Sequence, residues 1–472
     1  MADSDHVTWL NAASVEETLS AAPPSEDKGH IREILAKGRD MKGLSYADVA
    51  TLMTIQDPKL EMELYDSAKA IKDRIYGPRI VLFAPMYVSN LCKNECLYCA
   101  FRVSNKALKR RSLSMEEIAE ETRILVNQGH KRVLLVSGEA YPPKEGFDYI
   151  IKALETVYAT KGDKPGAEIR RINVNLAPET VENFKRLKEA DIGTFQLFQE
   201  TYDRKVYSQM HTHGKKSDYD WRVTALDRAM EAGIDDLGMG VLFGLSDWRF
   251  EVLSLMQHIE HLEDKYGVGC HTISMPRLEP AHGSDIASAP PHAVSDSDLK
   301  KIIAILRLAV PYTGMIISTR ETAAMRRETI ALGISQISAG SRTNPGGYAE
   351  EENEGTFAES QFQLGDHRPL GEVVAELAEM GLIPSFCTAC YRLGRTGDEF
   401  MEWAKTGEIH HRCGPNALST FREYLIDYTS EEVSEAGEKA IAKELELMDR
   451  KDKKVSNNLL RRVKDGKRDC YC

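Results

Sequence analysis

The chain has 472 residues, with 61 Lys and Arg against 73 Asp and Glu for a net charge of −12. That length exceeds one ordinary domain but suits a large α/β barrel with extensions, and the acidic balance argues against nucleic-acid binding, which needs a basic face. No apolar run reaches the roughly 18 residues of a transmembrane helix, and Met1-Ala2-Asp3-Ser4-Asp5 lacks the basic and apolar segments of a secretory signal, so the expected compartment is the cytoplasm.

Residues 1–75 are expected to form a helical extension. Segments 25–38 and 45–71 carry apolar residues at three- and four-residue spacing (Leu52, Ile55, Leu60, Met62, Leu64, Ala68, Ile71), as a helix with one buried face requires. From 76 to 380 strand-like and helix-like segments alternate. The expected strands are 80–86, 132–136, 172–176, 194–199, 236–243, 271–275, 315–319 and 335–339. Most are short apolar or β-branched runs, the pattern of strands covered on both faces. Helices are expected at 180–190, 217–232, 248–266, 296–310 and 322–332, and Ser114-Met115-Glu116-Glu117 is a capping box that opens another. Gly193, Gly233 and Gly333 fall where left-handed helix caps are wanted. Eight strands alternating with helices predict a (β/α)8 barrel.

Residues 381–472 are expected to be a further unit, turn-rich over 388–416 and then mostly helical, with one helix opened by Thr429-Ser430-Glu431-Glu432. The last 24 residues hold nine Lys and Arg against four Asp, which reads as a solvated helix end rather than a recognition arm.

Six of the nine cysteines fall into two triplets. Cys92, Cys96 and Cys99 are spaced C-x3-C-x2-C just after the first strand; Cys387 and Cys390 form C-x2-C, completed by Cys413 after a gap of 22 residues. In a chain without an export signal this spacing reads as metal binding rather than disulfides. Three thiolates are one short of the four that a structural zinc or a four-iron cube takes from protein, and the histidine closest to the first triplet, His130, is too remote in sequence to complete a zinc set. Each triplet therefore implies a cluster with one position open for chemistry.

The first triplet, with Tyr98 before its third cysteine, resembles the radical S-adenosylmethionine (radical SAM) superfamily. The resemblance implies a (β/α)8 TIM barrel and a 4Fe–4S cluster on Cys92, Cys96 and Cys99 that chelates SAM through its open iron. It further implies SAM contacts from Tyr98, from Ser137-Gly138-Glu139 after the second strand, from Glu200 on the ribose or ammonium, and from Arg222 on the methionine carboxylate. Leu242, in Gly240-Val241-Leu242-Phe243-Gly244, matches the adenine-facing segment.

The segments 199–202, 271–278, 318–321 and 338–341, with Gln361-Phe362 and Asp366-His367-Arg368, resemble the tyrosine lyases of that superfamily. One branch makes dehydroglycine for thiamine synthesis; the other matures FeFe-hydrogenase and carries a C-terminal C-x2-C-x22-C extension like the one here. Resemblance to the maturase branch covers nearly the whole chain. It implies L-tyrosine as substrate, clamped at its carboxylate by Arg320, and an auxiliary 4Fe–4S cluster on Cys387, Cys390 and Cys413 bridged to a labile fifth iron. His271, expected at the mouth end of the sixth strand, is the match for a histidine holding that iron, with free cysteine as its non-protein ligand and His282 as the fallback.

The implied reaction begins with reductive cleavage of SAM, driven by a donor such as ferredoxin or flavodoxin. Hydrogen abstraction from the tyrosine amino nitrogen and Cα–Cβ scission follow, giving p-cresol and dehydroglycine. Dehydroglycine is then split to carbon monoxide and cyanide on the labile iron, and other hydrogenase maturases are the implied partners for the product. A thiamine-type lyase or a non-catalytic iron–sulfur scaffold are the alternatives. Cys270 is expected to be a small buried residue, the tail Cys470-Tyr471-Cys472 a disordered end, and His211, His213, His410 and His411 surface histidines.

Overall fold

A computed structural model describes residues 7–23, 27–350 and 356–472, with side chains from 358 in the last segment. Eight parallel strands close into a barrel: β1 (Arg79–Ser89), β3 (Arg132–Ser137), β4 (Arg171–Asn175), β5 (Phe195–Glu200), β7 (Leu237–Val241), β8 (Thr272–Ser274), β9 (Gly314–Ile317) and β10 (Gln336–Ser338), which pairs back onto β1. The eight strands expected from sequence are the eight that form it. Their mixed apolar and β-branched runs are buried along almost their whole length, because helices cover the outside while side chains fill the inside.

Three strands were not expected. Glu95–Cys96 (β2) and His211–His213 (β6) form a small antiparallel ribbon over the barrel mouth. Ile383–Ser385 (β11) pairs in parallel with residues 79–81 of β1, beside β3, which takes residues 84–89. Val81 also pairs with Gln336 of β10, so β11 must lie on the other edge of β1, at its N-terminal end. Cys387 follows β11 by two residues, which ties the second triplet to the barrel floor.

Several helices differ from expectation for local reasons. The stretch 45–71 is two helices, Tyr46–Met53 and Pro58–Tyr76, because Pro58 takes the first position of a new helix capped by the Asp57 carboxylate. The stretch 217–232 breaks at Thr224 into Tyr219–Val223 and Ala225–Glu231, after a 3-10 turn at Lys215–Ser217. The helix expected at 25–38 is seen as Lys28–Arg39; residues 25 and 26 lie outside the described residues, as does the segment 1–5 judged for a secretory signal. The Ser114–Glu117 capping box has both reciprocal hydrogen bonds, worth roughly 1 kcal/mol to the helix Met115–Asn127. Helix Glu431–Leu447 starts after Ser430 without a side-chain cap. Of the three expected left-handed caps only Gly233 is one (φ +84); Gly333 is extended, and Asp191 (φ +56) takes the turn ahead of Gly193.

The tail is ordered, contrary to expectation. Cys470 is buried, its carbonyl accepts the Ser419 hydroxyl at 2.7 Å, and Cys472 N–H donates to Asn416 Oδ1 at 2.8 Å. The Arg468–Asp427 and Arg392–Asp469 pairs supply the ordering energy that a bare Cys-Tyr-Cys end lacks. Among the described residues no helix is long and apolar enough to cross a membrane.

Candidate functional site

The two triplets sit at opposite ends of one barrel. Cys92, Cys96 and Cys99 line a cavity at the C-terminal ends of the strands that opens to solvent. Cys387, Cys390 and Cys413 line a second cavity of about 580 Å³ at the N-terminal ends. Six residue steps of β1, from Val81 in the lower cavity to Tyr87 in the upper, correspond to roughly 20 Å of strand.

The loop carrying the first triplet is fixed by its own backbone contacts. β2 within the loop pairs Cys96 with His211 across the ribbon, and Leu97 N–H donates to Met210 O at 3.0 Å. Asn94 is the hub: its amide donates to Glu139 Oε2 at 2.7 Å, its Oδ1 accepts Lys216 N–H at 3.1 Å, and its carbonyl accepts Val103 N–H at 2.9 Å. Gly214 (φ +89) closes the ribbon where a Cβ would stand 2.3 Å from Asn94 Oδ1, and at Gly138 a Cβ would stand 2.3 Å from the Leu91 carbonyl oxygen. Only glycine fits either place, so close backbone contacts help shape the loop.

The cavity suits a cluster. Cys99 Sγ accepts hydrogen bonds from Phe101 N–H (3.4 Å) and Gln361 Nε2 (3.7 Å), the kind of contact that tunes cluster sulfurs. Burial pushes the Cys92 thiol up to about 11 and raises Cys96 and Cys99 as well. Three clustered thiolates in this setting are costly without a bound cation, a charge that iron would supply.

All eleven residues assigned to this site from sequence line the same cavity: the three cysteines, Tyr98, Ser137, Gly138, Glu139, Glu200, Arg222, Leu242 and Arg320. One important neighbour was not foreseen. Lys216 is buried, 2.6 Å from Glu200 Oε1 and 3.7 Å from Glu139 Oε1, while Arg222 reaches the same two carboxylates at 3.3 and 2.9 Å. Two carboxylates and two cations thus form a neutral buried lattice. Burial opposes ionisation of Glu139 and Glu200, yet Arg222 and Lys216 outweigh it and hold both carboxyls below the usual range. In sequence Lys215-Lys216 looks like any solvated pair, and only the ribbon turns Lys216 inward.

His211, expected at the surface, is a second inward-facing residue of the ribbon. It is buried, and its Nε2 lies 2.8 Å from the Tyr98 hydroxyl while Nδ1 lies 2.8 Å from the Tyr207 carbonyl oxygen. The carbonyl can only accept, so Nδ1 carries the proton and Nε2 accepts from Tyr98, fixing the Tyr98 ring beside the cysteines. His213, two residues on, is exposed.

Arg320 stands on the far side of the cavity with its guanidinium 3.2 Å from the Phe362 ring centroid. Its neighbour Glu321 is taken by Arg277 (Nε to Oε1 2.9 Å), and Arg320 has no ion pair among the described residues. Burial lowers its pKa, which marks a desolvated cation available to an anionic ligand.

The second cavity places His271 differently from expectation. His271 precedes β8 and so lies at the N-terminal floor, not at the mouth; there it lines the cavity with Cys387, Cys390 and Cys413. Its Nδ1 is 3.6 Å from Asp236 Oδ2, a buried carboxylate with no hydrogen-bond partner among the described residues. The cations Arg79, Arg132 and Arg395 complete the wall, with Arg132 donating to the Cys387 carbonyl oxygen at 2.9 Å. The Cys390 thiol donates to Cys413 and pulls it below its usual value, and burial pushes Cys387 up to about 11. Three clustered sulfurs, an orphaned carboxylate and three cations fit an anionic iron–sulfur centre with polar ligands. His282 packs by the first triplet's loop, its carbonyl oxygen accepting from Asn105, so it cannot serve the second. His410 and His411 stay outside both cavities, the latter exposed and paired with Asp452 at 2.6 Å. Cys270 is buried, as expected.

Comparison with known proteins gives the family. The radical SAM superfamily model matches residues 86–255, and the biotin and thiamin synthesis associated domain matches residues 274–383. The 2-iminoacetate synthase of Salmonella typhimurium is 32% identical over 379 residues, 91% of that enzyme and 80% of this chain, leaving 20% of this chain outside the alignment. A crystal structure of HydG, a maturase of the FeFe-hydrogenase, superposes with TM-score 0.93 at 47% identity over 98% of this chain and 100% of that one. HydG from Carboxydothermus hydrogenoformans gives 0.82 at 39% identity over 95% and 97%. Superfamily membership brings a SAM-binding 4Fe–4S cluster and makes the protein a radical SAM lyase. The match over nearly the full length of both chains decides the branch: the chain belongs to the HydG family of FeFe-hydrogenase maturases.

Proposed function

We propose that the protein cleaves the Cα–Cβ bond of L-tyrosine to p-cresol and dehydroglycine in the upper cavity, and converts dehydroglycine to carbon monoxide and cyanide on a labile iron in the lower one. The observation that carries this reading is the pair of three-cysteine cavities at the two ends of one barrel. When bound, the first cluster and SAM supply the radical that starts the cleavage. The chain's own residues hold the reactants. Arg222 and Lys216 are the cations for the SAM carboxylate, Glu139 and Glu200 the anions for its ammonium and ribose, and Tyr98 and Leu242 flank its adenine. Arg320 takes the tyrosine carboxylate, so that the amino nitrogen faces the radical at one fixed distance.

In the lower cavity Cys387, Cys390 and Cys413 hold the auxiliary cluster, with residues 381–472 as its scaffold. His271 would hold the labile iron, with free cysteine as a further ligand, and soft iron–sulfur surroundings would suit capture of the diatomic products. The barrel wall keeps water from dehydroglycine between the two sites. A ferredoxin- or flavodoxin-type donor supplies the electron, and other hydrogenase maturases receive the iron product.

The test is anaerobic. Reconstituted protein given SAM, reductant and tyrosine is expected to yield p-cresol, carbon monoxide and cyanide together. p-Cresol without carbon monoxide would make it a thiamine-type lyase, and no p-cresol would leave only a cluster scaffold. For the iron, His271→Ala is expected to remove the fifth-iron EPR signal with both cubes retained; an unchanged signal would take His271 out of the site.

A further inference from the structure

Glu200 is one of four described non-glycine residues with positive φ, at +73°, and the only one of them in either cavity. A left-handed backbone at a long side chain costs about 1–3 kcal/mol and persists only where neighbours enforce it. The β5–β7 register slips between Phe198 and Glu200, a bulge that re-aims the strand end. The Glu200 carbonyl is held from one side, accepting Leu242 N–H at 2.9 Å. What holds the following residues lies outside the cavity.

The helix Trp248–Tyr266 carries a buried carboxylate, Glu251, whose Oε1 meets the Thr201 hydroxyl and whose Oε2 accepts Tyr202 N–H at 2.8 Å. Tyr202 is pinned twice more: its carbonyl accepts the Tyr219 hydroxyl at 2.8 Å, and its own hydroxyl lies 2.9 Å from His258 Nδ1, on the same helix as Glu251. Glu251 has no cation partner among the described residues, and burial pushes its carboxyl up to about 8. Its energetic purpose is therefore not an ion pair but these two hydrogen bonds, made to the two residues that follow the strained one.

We propose that Glu251 is a positioning residue for the SAM site: by capturing Thr201 and Tyr202 it keeps Glu200 left-handed, so that the Glu200 carboxylate stays between Lys216 and Arg222 and faces the cofactor. This rests on the reading that Glu200 contacts SAM. Release of the turn lets φ relax to negative values and swings the carboxylate away from its two cations. The neutral acid form of Glu251 offers one acceptor and one donor, the same pair that a glutamine amide offers.

The experiment measures SAM affinity and turnover in the cluster-loaded protein for Glu251→Ala, Glu251→Gln and Glu200→Gln, with amide hydrogen exchange at Tyr202 in the cluster-free protein. Glu251→Ala is expected to weaken SAM binding about tenfold, to leave kcat at saturating SAM within about threefold, and to speed Tyr202 exchange. Glu251→Gln is expected to restore affinity and protection. Unchanged SAM affinity in a folded Glu251→Ala protein overturns the inference. If that variant does not fold, Thr201→Val takes its place, and unchanged affinity there has the same meaning. Glu200→Gln separates the two layers: if it leaves SAM affinity intact, the assignment of Glu200 itself fails. If it weakens SAM while Glu251→Ala does not, only the role of Glu251 fails.

Discussion

Replacing Cys387 and Cys390 with alanine is expected to leave p-cresol formation within about twofold of the parent protein and to reduce carbon monoxide to background. One thiolate cannot hold an iron–sulfur cube, so total iron is expected to fall by about half. The upper cavity has no reason to notice. Its cysteines, its charged lattice and Arg320 all lie at the other end of the strands, and its cysteine loop is anchored by Asn94 and the His211–His213 ribbon. The nearest structural risk is β11, which pairs with β1, but its backbone bonds involve residues 383–385 and no cysteine. Gas-binding and p-cresol assays on one sample decide the matter. Parallel loss of both products would refute a division of labour between the two ends.

Replacing Arg320 with leucine is expected to lower kcat/KM for tyrosine by roughly 30- to 5,000-fold, corresponding to about 2–5 kcal/mol for a buried charged partner removed. SAM affinity is expected to stay within about twofold, because the SAM-facing cations are Arg222 and Lys216. The cause lies in how the neighbourhood is partnered. Glu321, the obvious mate in sequence, is committed to Arg277, which leaves the Arg320 guanidinium stacked on Phe362 with no anion of its own among the described residues. Arg320→Lys is expected to recover only part of the activity, since a point charge cannot replace a planar fork on a carboxylate. Titration of initial rates against tyrosine at saturating SAM gives the answer; an unchanged KM would assign Arg320 to packing.

The charged lattice shows where legibility ended. Glu139, Glu200 and Arg222 could be placed because the family resemblance implied them and their strand- and helix-end positions suit the mouth of a barrel. Lys216 and His211 could not, since their inward turn depends on β6 pairing with β2, a contact more than a hundred residues apart in the chain. His271 was expected at the mouth end of its strand, and it lines the second triplet's cavity at the opposite end. A strand's sequence does not say which end a later segment will cover, and only β11, added to the N-terminal end of β1, brings Cys387 beneath it. The tail was misjudged for a similar reason: Asp469 and Arg468 find their partners on Arg392 and Asp427, 77 and 41 residues away.

By itself the sequence determined the barrel, since eight apolar runs and their intervening helices are local patterns, and it determined the two cysteine triplets, whose spacing is local chemistry. Tertiary structure alone decided that the triplets occupy opposite ends, that Lys216 joins the lattice, and that Glu251 stands behind Glu200. Each of these requires two distant segments to be brought within hydrogen-bonding reach, and that geometry exists only once the barrel has closed.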